Sequence, residues 1–453
     1  MIPQPDFINS QFLISAITFT IVVHIVLLGC AYCIYFERKT SAWMQDRLGP
    51  NRAGLDFGLQ FFPFNKLKGL FGLGQPLADG IKFMLKEDYT PPTVDKGLFT
   101  LAPMVVVIPA LMGFAIVPWG GYWDMPQFTV PFLDWTFGGE RVLIAAANIN
   151  IGLIYLLAVA SLGIYGIALG SWASNNKYSF LGGLRASSQM LSYEIPMGLS
   201  LLAVLLFVGS LKPIDFINHQ AEHGWLIISH PIAAILFFMC GLAECNRAPF
   251  DNAECEQELV GGYHTEYSSM RFALFFLAEY AHMITTAAIF AVVFLGGYNA
   301  VPFVQLPFLG VDDVGIFAVL AKFGVMFVKI ALLIGFMMVI RWTLPRLRFD
   351  QVMRVAWQGV IPISVVLLMM NATLVFFGGF WTSLPGTLLA NLVLAAAVVL
   401  LQPVVGRAPN RKIRMAGSRF YPLEDGPGVK TRPTLAAALE DRPIQTAATL
   451  GAS

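Results

Sequence analysis

The chain has 453 residues, 57% of them hydrophobic and only 13% charged, with a net charge of +1. So few charges cannot cover an ordinary aqueous surface, which excludes soluble enzymes, nucleic-acid binders and disordered scaffolds. Phe7 to Phe36 runs 30 residues without Asp, Glu, Lys or Arg, and Val355 to Gly406 runs 52, where about 20 residues suffice to cross a bilayer. A β-barrel is excluded as well, because its strands alternate apolar and polar residues. The fold class is all-α, a polytopic transmembrane helix bundle.

In chain order we expect about nine spans, near residues 11–36, 98–119, 142–168, 186–209, 231–247, 271–296, 315–340, 357–379 and 386–404. The last two divide the longest uncharged run, with Gly378, Gly379 and Pro385-Gly386 supplying the break. The chain then reads as a membrane domain over 1–405, with inner loops at 37–97, 169–185, 247–271 and 341–356. A tail over 406–453 follows, basic at its start and then rich in Pro, Gly and Ala, and reads as poorly ordered. Those loops and the tail hold 25 of the 29 Lys and Arg residues. By the positive-inside rule they face the cytoplasm and the N-terminus faces out, so the chain is placed in the cell inner membrane as a multi-pass protein. The first apolar run is too long for a signal-peptide core and reads as a retained span.

No cofactor is evident from motifs. The five cysteines, Cys30, Cys33, Cys240, Cys245 and Cys255, lack the converging sets that iron-sulfur clusters or zinc require. His219 and His223 have i,i+4 spacing, but a surface role outweighs a metal site. There is no GxGxxG opening a strand and no P-loop, so flavin and nucleotide have no seat. Any electrons that reach this chain are carried elsewhere.

Charged residues at membrane depth carry the functional signal, because each costs a few kcal/mol or more there. Glu37 ends the first span; Glu194, Glu244 and Glu279 lie in or near the fourth, fifth and sixth. Each is either a titrating group or the partner of a cation. Glu194 points about 180° away from Arg185 around a helix, so that cation does not neutralise it. Glu279 and His282, i,i+3 neighbours, suit a proton relay. Lys322 and Lys329 share a face of the seventh span and are candidate countercharges for these acids, which together suggest a buried polar path.

Two loop segments add to this. Pro76 to Glu87 reads as an amphipathic interfacial helix, Leu77, Ile81, Met84 and Leu85 on one face and Asp79, Lys82 and Lys86 on another, suited to lining a lateral entrance for a lipid-like molecule. In Asn246 to Glu258, Pro249 blocks the fifth span and Asp251 and Glu254 have capping-box spacing, so a new helix is expected from Asp251, ended by Gly261-Gly262. Glu254 and Glu258 would then share a face, with Glu256 on the other. Four acids beside Arg247 point to a partner surface or a polar cavity.

Glu37-Arg38-Lys39, Arg47-Leu48-Gly49-Pro50-Asn51-Arg52, Gln75-Pro76-Leu77-Ala78-Asp79-Gly80, Gly170-Ser171-Trp172-Ala173-Ser174-Asn175-Asn176-Lys177-Tyr178, Ser192-Tyr193-Glu194, Asn246-Arg247-Ala248-Pro249-Phe250-Asp251, Glu266-Tyr267-Ser268 and Leu344-Pro345-Arg346 follow in that order. Together they resemble the family of H subunits of bacterial proton-pumping NADH:quinone oxidoreductases, the equivalent of subunit 1 of mitochondrial complex I. The resemblance covers about residues 10 to 380 and implies eight spans, so the ninth is extra; Phe61 to Gln75 looks inserted and Lys322 has no counterpart. It implies a quinone as substrate, no flavin or iron-sulfur cluster on this chain, and activity only within the multisubunit complex. The implied partners are the hydrophilic-arm subunit carrying the terminal iron-sulfur cluster, neighbouring membrane-arm subunits and the lipid bilayer. Glu37, Arg38, Arg47, Asp79, Arg247, Phe250, Asp251, Glu254, Glu256 and Glu266 are the expected quinone-chamber residues. Glu194, Glu244, Glu279 and Lys329 are the expected proton-coupling residues. The alternatives are the analogous subunit of an energy-converting hydrogenase and an independent proton or cation transporter.

Overall fold

The computed structural model describes residues 9–54, 71–130, 135–302, 310 and 313–405. The expectations for Phe61 to residue 70 and for the tail after 405 lie outside these. Residues 1–396 form one compact unit and 397–453 a second.

Among the described residues each expected span holds an apolar helix. They are α1 (Ser10–Met44), α3 (Lys96–Met112), α4 (Gly152–Ala173), α5 (Lys177–Val208), α8 (Pro231–Glu244), α10 (Ser269–Phe294), α11 (Ile316–Thr343), α13 (Ile361–Phe377) and α14 (Leu384–Val405). Between them lie α2 (Gln75–Leu85), α6 (Pro213–His223), α7 (Leu226–Ser229), α9 (Glu256–Leu259) and α12 (Phe349–Val355), the last joined to α13 through a π-turn at Ala356–Val360. Among the described residues seven helices are long and apolar enough to cross a membrane; the apolar stretches of α8 and α14 are shorter.

Local chemistry sets the ends. Asn9 accepts from Phe12 N at 2.9 Å, Asp95 from Gly97 N at 3.1 Å and Asn176 from Tyr178 N at 2.8 Å, capping α1, α3 and α5. Gly209, at φ +72°, closes α5, and Gly378 closes α13 at the expected break. The loop expected at 169–185 is short, because α4 runs to Ala173 and α5 begins at Lys177.

The third span starts later than the expected residue 142. Four short strands, β1 (Tyr122–Asp124), β2 (Phe128–Val130), β3 (Trp135–Phe137) and β4 (Arg141–Leu143), occupy the preceding segment. β1 pairs antiparallel with β4, Tyr122 opposite Leu143, and β2 with β3, Phe128 opposite Phe137. The apolar residues after 141 therefore pair as a strand, and Gln11 of α1 seals the backbone of Leu143 on both sides, at 2.9 and 3.0 Å.

The central helices approach through small residues, as membrane helices do where apolar area alone gives no drive to associate. A Cβ on Gly166 of α4 would lie 2.3 Å from Val106 of α3, and one on Gly241 of α8 2.4 Å from Thr286 of α10. Most of α10 is buried, and it forms the axis against which α1, α3, α8 and α11 pack.

Candidate functional site

The site is assembled from the inner end of α1, the loop between α8 and α10, and the buried face of α10. Glu37, 7% exposed, accepts from Arg247 Nη1 at 2.9 Å and from the Tyr280 hydroxyl at 2.5 Å, and pairs with Arg341 from the end of α11. Arg247 also stacks over the Tyr280 ring at 4.2 Å. Glu37 thus pairs with cations 210 and 304 residues away. Its sequence neighbours turn elsewhere: Lys39 bonds to the Leu48 carbonyl and Asn51, and Arg38 pairs with Asp79 of α2 at 2.7 Å.

The acidic loop departs from the expected helix. Its helical part is Glu256–Leu259, Cys255 holds the cap position, and Asp251 stands outside the cap. Arg247 turns inward to Glu37, and the residues after it take a non-helical path. Phe250 is buried against Tyr193, ring centres 5.2 Å apart, and its carbonyl accepts from Gln189 at 2.7 Å. Residues 250–255 form an irregular segment with bends at Phe250 and at Ala253-Glu254, and Gly262, at φ +62°, closes over Ala253 where a Cβ would lie 1.8 Å from its carbonyl oxygen. Glu254 and Glu258 consequently do not share a helix face. Glu258 pairs with Arg185 at 2.5 Å, whereas Glu254 turns toward Tyr263 and His264.

The Tyr263 hydroxyl lies 3.2 Å from Glu254 Oε1 and 3.1 Å from Glu279 Oε1, and His264 Nδ1 lies 3.5 Å from the same Glu254 oxygen. Burial pushes the Glu254 carboxyl up, but the Glu279 carboxyl bonded to it and the charges of His264 and Arg247 outweigh this and hold it below the ordinary range. Asp251, 3.9 Å from Arg346, is pushed up to about 6 by burial and then by Glu254, against the pull of Arg346, Arg341 and Arg247.

Deeper in the bundle, Glu279, His282 and Glu244 line one cavity of about 20 Å³, and His282 and Glu244 a second of about 30 Å³. Each has room for about one water molecule between polar groups. Glu194 lies near enough for its charge to act on Glu244. Three expected acids, Glu254, Glu279 and Glu244, therefore form one series, with Tyr263 and His282 between, and Glu194 lies beside it.

A lateral cavity of about 310 Å³ lies between α1, α2 and α10, walled by Ile34, Phe83, Phe272 and Phe276 and rimmed by the Arg38–Asp79 pair. α2 is the expected amphipathic helix, and Leu77, Ile81, Met84 and Leu85 are all exposed along it.

Other expected site residues lie apart. Arg47 is exposed on its loop. Glu266 accepts from Asn176 at 2.5 Å. The Glu256 side chain lies outside the description. Lys329 is not a countercharge to the acids: its ammonium donates to the Leu295, Gly297 and Asn299 carbonyls and sits 4.6 Å over Trp225. The carbonyl-rich C-terminal end of α10 meets that charge instead. Lys322, fully buried, donates to the Asp313 carbonyl at 2.6 Å and lies 5.2 Å over Tyr298. Sequence reasoning missed Tyr263, Tyr280 and His264 as members of the site. The available signal was their position, Tyr263-His264 directly after the Gly261-Gly262 turn and Tyr280 beside Glu279.

A bundle of apolar helices that encloses such a set of acids beside a charged loop defines a multi-pass membrane protein with a buried polar core. The family model described as NADH dehydrogenase matches residues 17–372. Three relatives, each an H subunit of an NADH-quinone oxidoreductase, align over most of their length. That of Cytophaga hutchinsonii is 41% identical over 361 residues, 80% of this chain and 95% of the relative. That of Flavobacterium johnsoniae is 40% identical, over 81% and 97%, and that of Koribacter versatilis 43% identical, over 80% and 97%. The chain belongs to the NADH dehydrogenase family.

Proposed function

We propose that the chain is the membrane subunit of a proton-translocating NADH:quinone oxidoreductase, forming part of the quinone chamber where the hydrophilic arm docks and passing the effect of quinone reduction into the membrane. One observation carries this reading: Glu254 in the loop and Glu279 meet at the Tyr263 hydroxyl, and Glu279, His282 and Glu244 line the cavities beyond it. A core needing only structural ion pairs would hold them in separate pairs, as Glu37 is held.

The lateral cavity fits an isoprenoid tail, with aromatic walls along its length and the Arg38–Asp79 pair at its mouth. Electrons reach the quinone from the iron-sulfur cluster of the hydrophilic-arm subunit. Reduction creates negative charge and a demand for protons in a chamber of low dielectric, where charges act strongly on nearby carboxylates. Arg247 and Asp251 stand at the head of the series and feel this first. By the positive-inside distribution, the loops carrying them face the cytoplasm.

The test compares two activities of the assembled complex in native membranes. Arg247→Met and Asp251→Asn are expected to lower quinone reduction while electron transfer from NADH to an artificial acceptor at the flavin continues. Equal loss of both activities in fully assembled complex contradicts the placement.

A further inference from the structure

The Tyr263 hydroxyl carries one hydrogen and touches two carboxyls, Glu254 at 3.2 Å and Glu279 at 3.1 Å. A full hydrogen bond to one of them leaves the other contact satisfied when that carboxyl is protonated and donates to the phenol oxygen. Both carboxyls meet at the one phenol oxygen, and like charges held this close in a buried site do not both ionise. The pair therefore holds one proton and one negative charge. Burial and the two acids keep the Tyr263 phenol well above its ordinary range, so it passes protons without ionising.

What faces the pair is not symmetric. On the loop side His264 Nδ1 lies 3.5 Å from Glu254 and acts on that carboxyl alone, whereas the Arg247 charge acts on both members of the pair. On the α10 side the His264 ring is packed edge-on against Phe272 at 5.1 Å and Phe276 at 6.0 Å, both walls of the lateral cavity and both uncharged. Histidine changes charge near neutral pH, which the arginine does not. A proton on His264 draws the negative charge to Glu254 and so sends the shared proton to Glu279, the member that opens onto the cavity with His282 and Glu244.

We infer that His264 is the switch that moves the proton shared by Glu254 and Glu279, and so a positioning residue for the first step of proton uptake into the membrane series. The inference rests on the proposed coupling function. In this step His264 takes a proton from water, the O–H bond at Glu254 breaks and one forms at Glu279, through the Tyr263 hydroxyl or directly. No electron moves. When His264 gives up its proton the preference for Glu279 falls away, which readies the pair for the next cycle.

The test replaces the switch with groups fixed in either state, in complex assembled in native membranes and normalised to its flavin-linked activity. His264→Gln keeps a polar group of similar size and is never charged; His264→Lys is charged throughout. Both are expected to lower quinone-linked turnover by on the order of 100-fold, and the residual rate is expected to lose the pH dependence that wild-type complex shows. Wild-type turnover in the Gln variant, which would make His264 a mere hydrogen-bonding group, or in the Lys variant, which would make it a fixed charge, overturns the inference. So does a lowered rate with the wild-type pH profile. Should neither variant assemble, infrared difference spectra of the wild-type complex decide. The carboxyl band that Glu279→Gln removes is expected to titrate together with histidine ring bands, and a band unmoved by that titration overturns the inference. Glu279→Gln also separates the two readings: full coupling in that variant defeats the proposed function itself, whereas its loss beside a functional His264 variant defeats only the switch.

Discussion

Glu37 and Asp251 show how differently two acids of one site are held. Glu37 joins α1, the loop and α11 through Arg247, Tyr280 and Arg341. Removing its charge leaves two arginines competing for acceptors in a buried site, at a cost of about 3–5 kcal/mol. Glu37→Ala is therefore expected to reduce the amount of assembled complex, measured as subunit abundance in membranes, before any kinetic effect is read. Asp251 is held the other way, its carboxyl raised from 3.8 to about 6. A raised carboxyl favours the fold while protonated, so its contribution is complete below about pH 4 and is lost as pH rises through about 6. Asp251→Asn cannot ionise and escapes this loss. The thermal-stability advantage of the variant over wild type is expected to grow between pH 4 and 6 and to level off above 7; an advantage independent of pH contradicts the assignment. Neither arrangement is legible in sequence. The cations on Glu37 are hundreds of residues distant, and Asp251 followed by Glu254 imitates a helix cap because nothing local shows that Arg247 turns inward and the residues after it take a non-helical path.

Between elements, the spacing is set by glycine where the α5 helix meets the turn that carries Tyr263. A Cβ on Gly182 would lie 2.6 Å from Tyr263 N and 2.7 Å from the Gly262 carbonyl carbon, backbone that cannot turn aside. Gly182→Ala is expected to cost about 1–3 kcal/mol and to lower quinone-linked turnover in what assembles, by shifting Tyr263 from its two acids. Gly324→Ala on α11, with nothing within 4 Å, serves as the neutral comparison. Equal behaviour of the two variants in a turnover assay contradicts this role for the contact. At this scale the sequence is a good guide wherever an apolar run is long and uninterrupted, as in α1, α10 and α13. It misleads at 142–151, where apolar residues serve a strand pair and a loop, because hydropathy does not distinguish the two uses. α2 was legible from its two faces, since an exposed amphipathic helix carries its whole pattern locally.

For the molecule as a whole, α10 is the element through which loop chemistry would reach the membrane interior. Glu279, His282 and the buried thread of α10 between α3 and α8 connect the charged loop with Glu244, beside which Glu194 lies. The depth of these acids was legible from their place in apolar runs, but their connection was not, since it depends on Tyr263 and on which helices touch. Glu194→Gln and Glu279→Gln, which keep size and most hydrogen bonding but remove titration, probe that connection at both ends. Quinone reduction and proton-gradient formation are measured together in membranes, normalised to assembled complex. Coupling through the series requires that the variants assemble yet lose quinone-linked turnover, the proton gradient or both; wild-type values of both quantities in both variants contradict it.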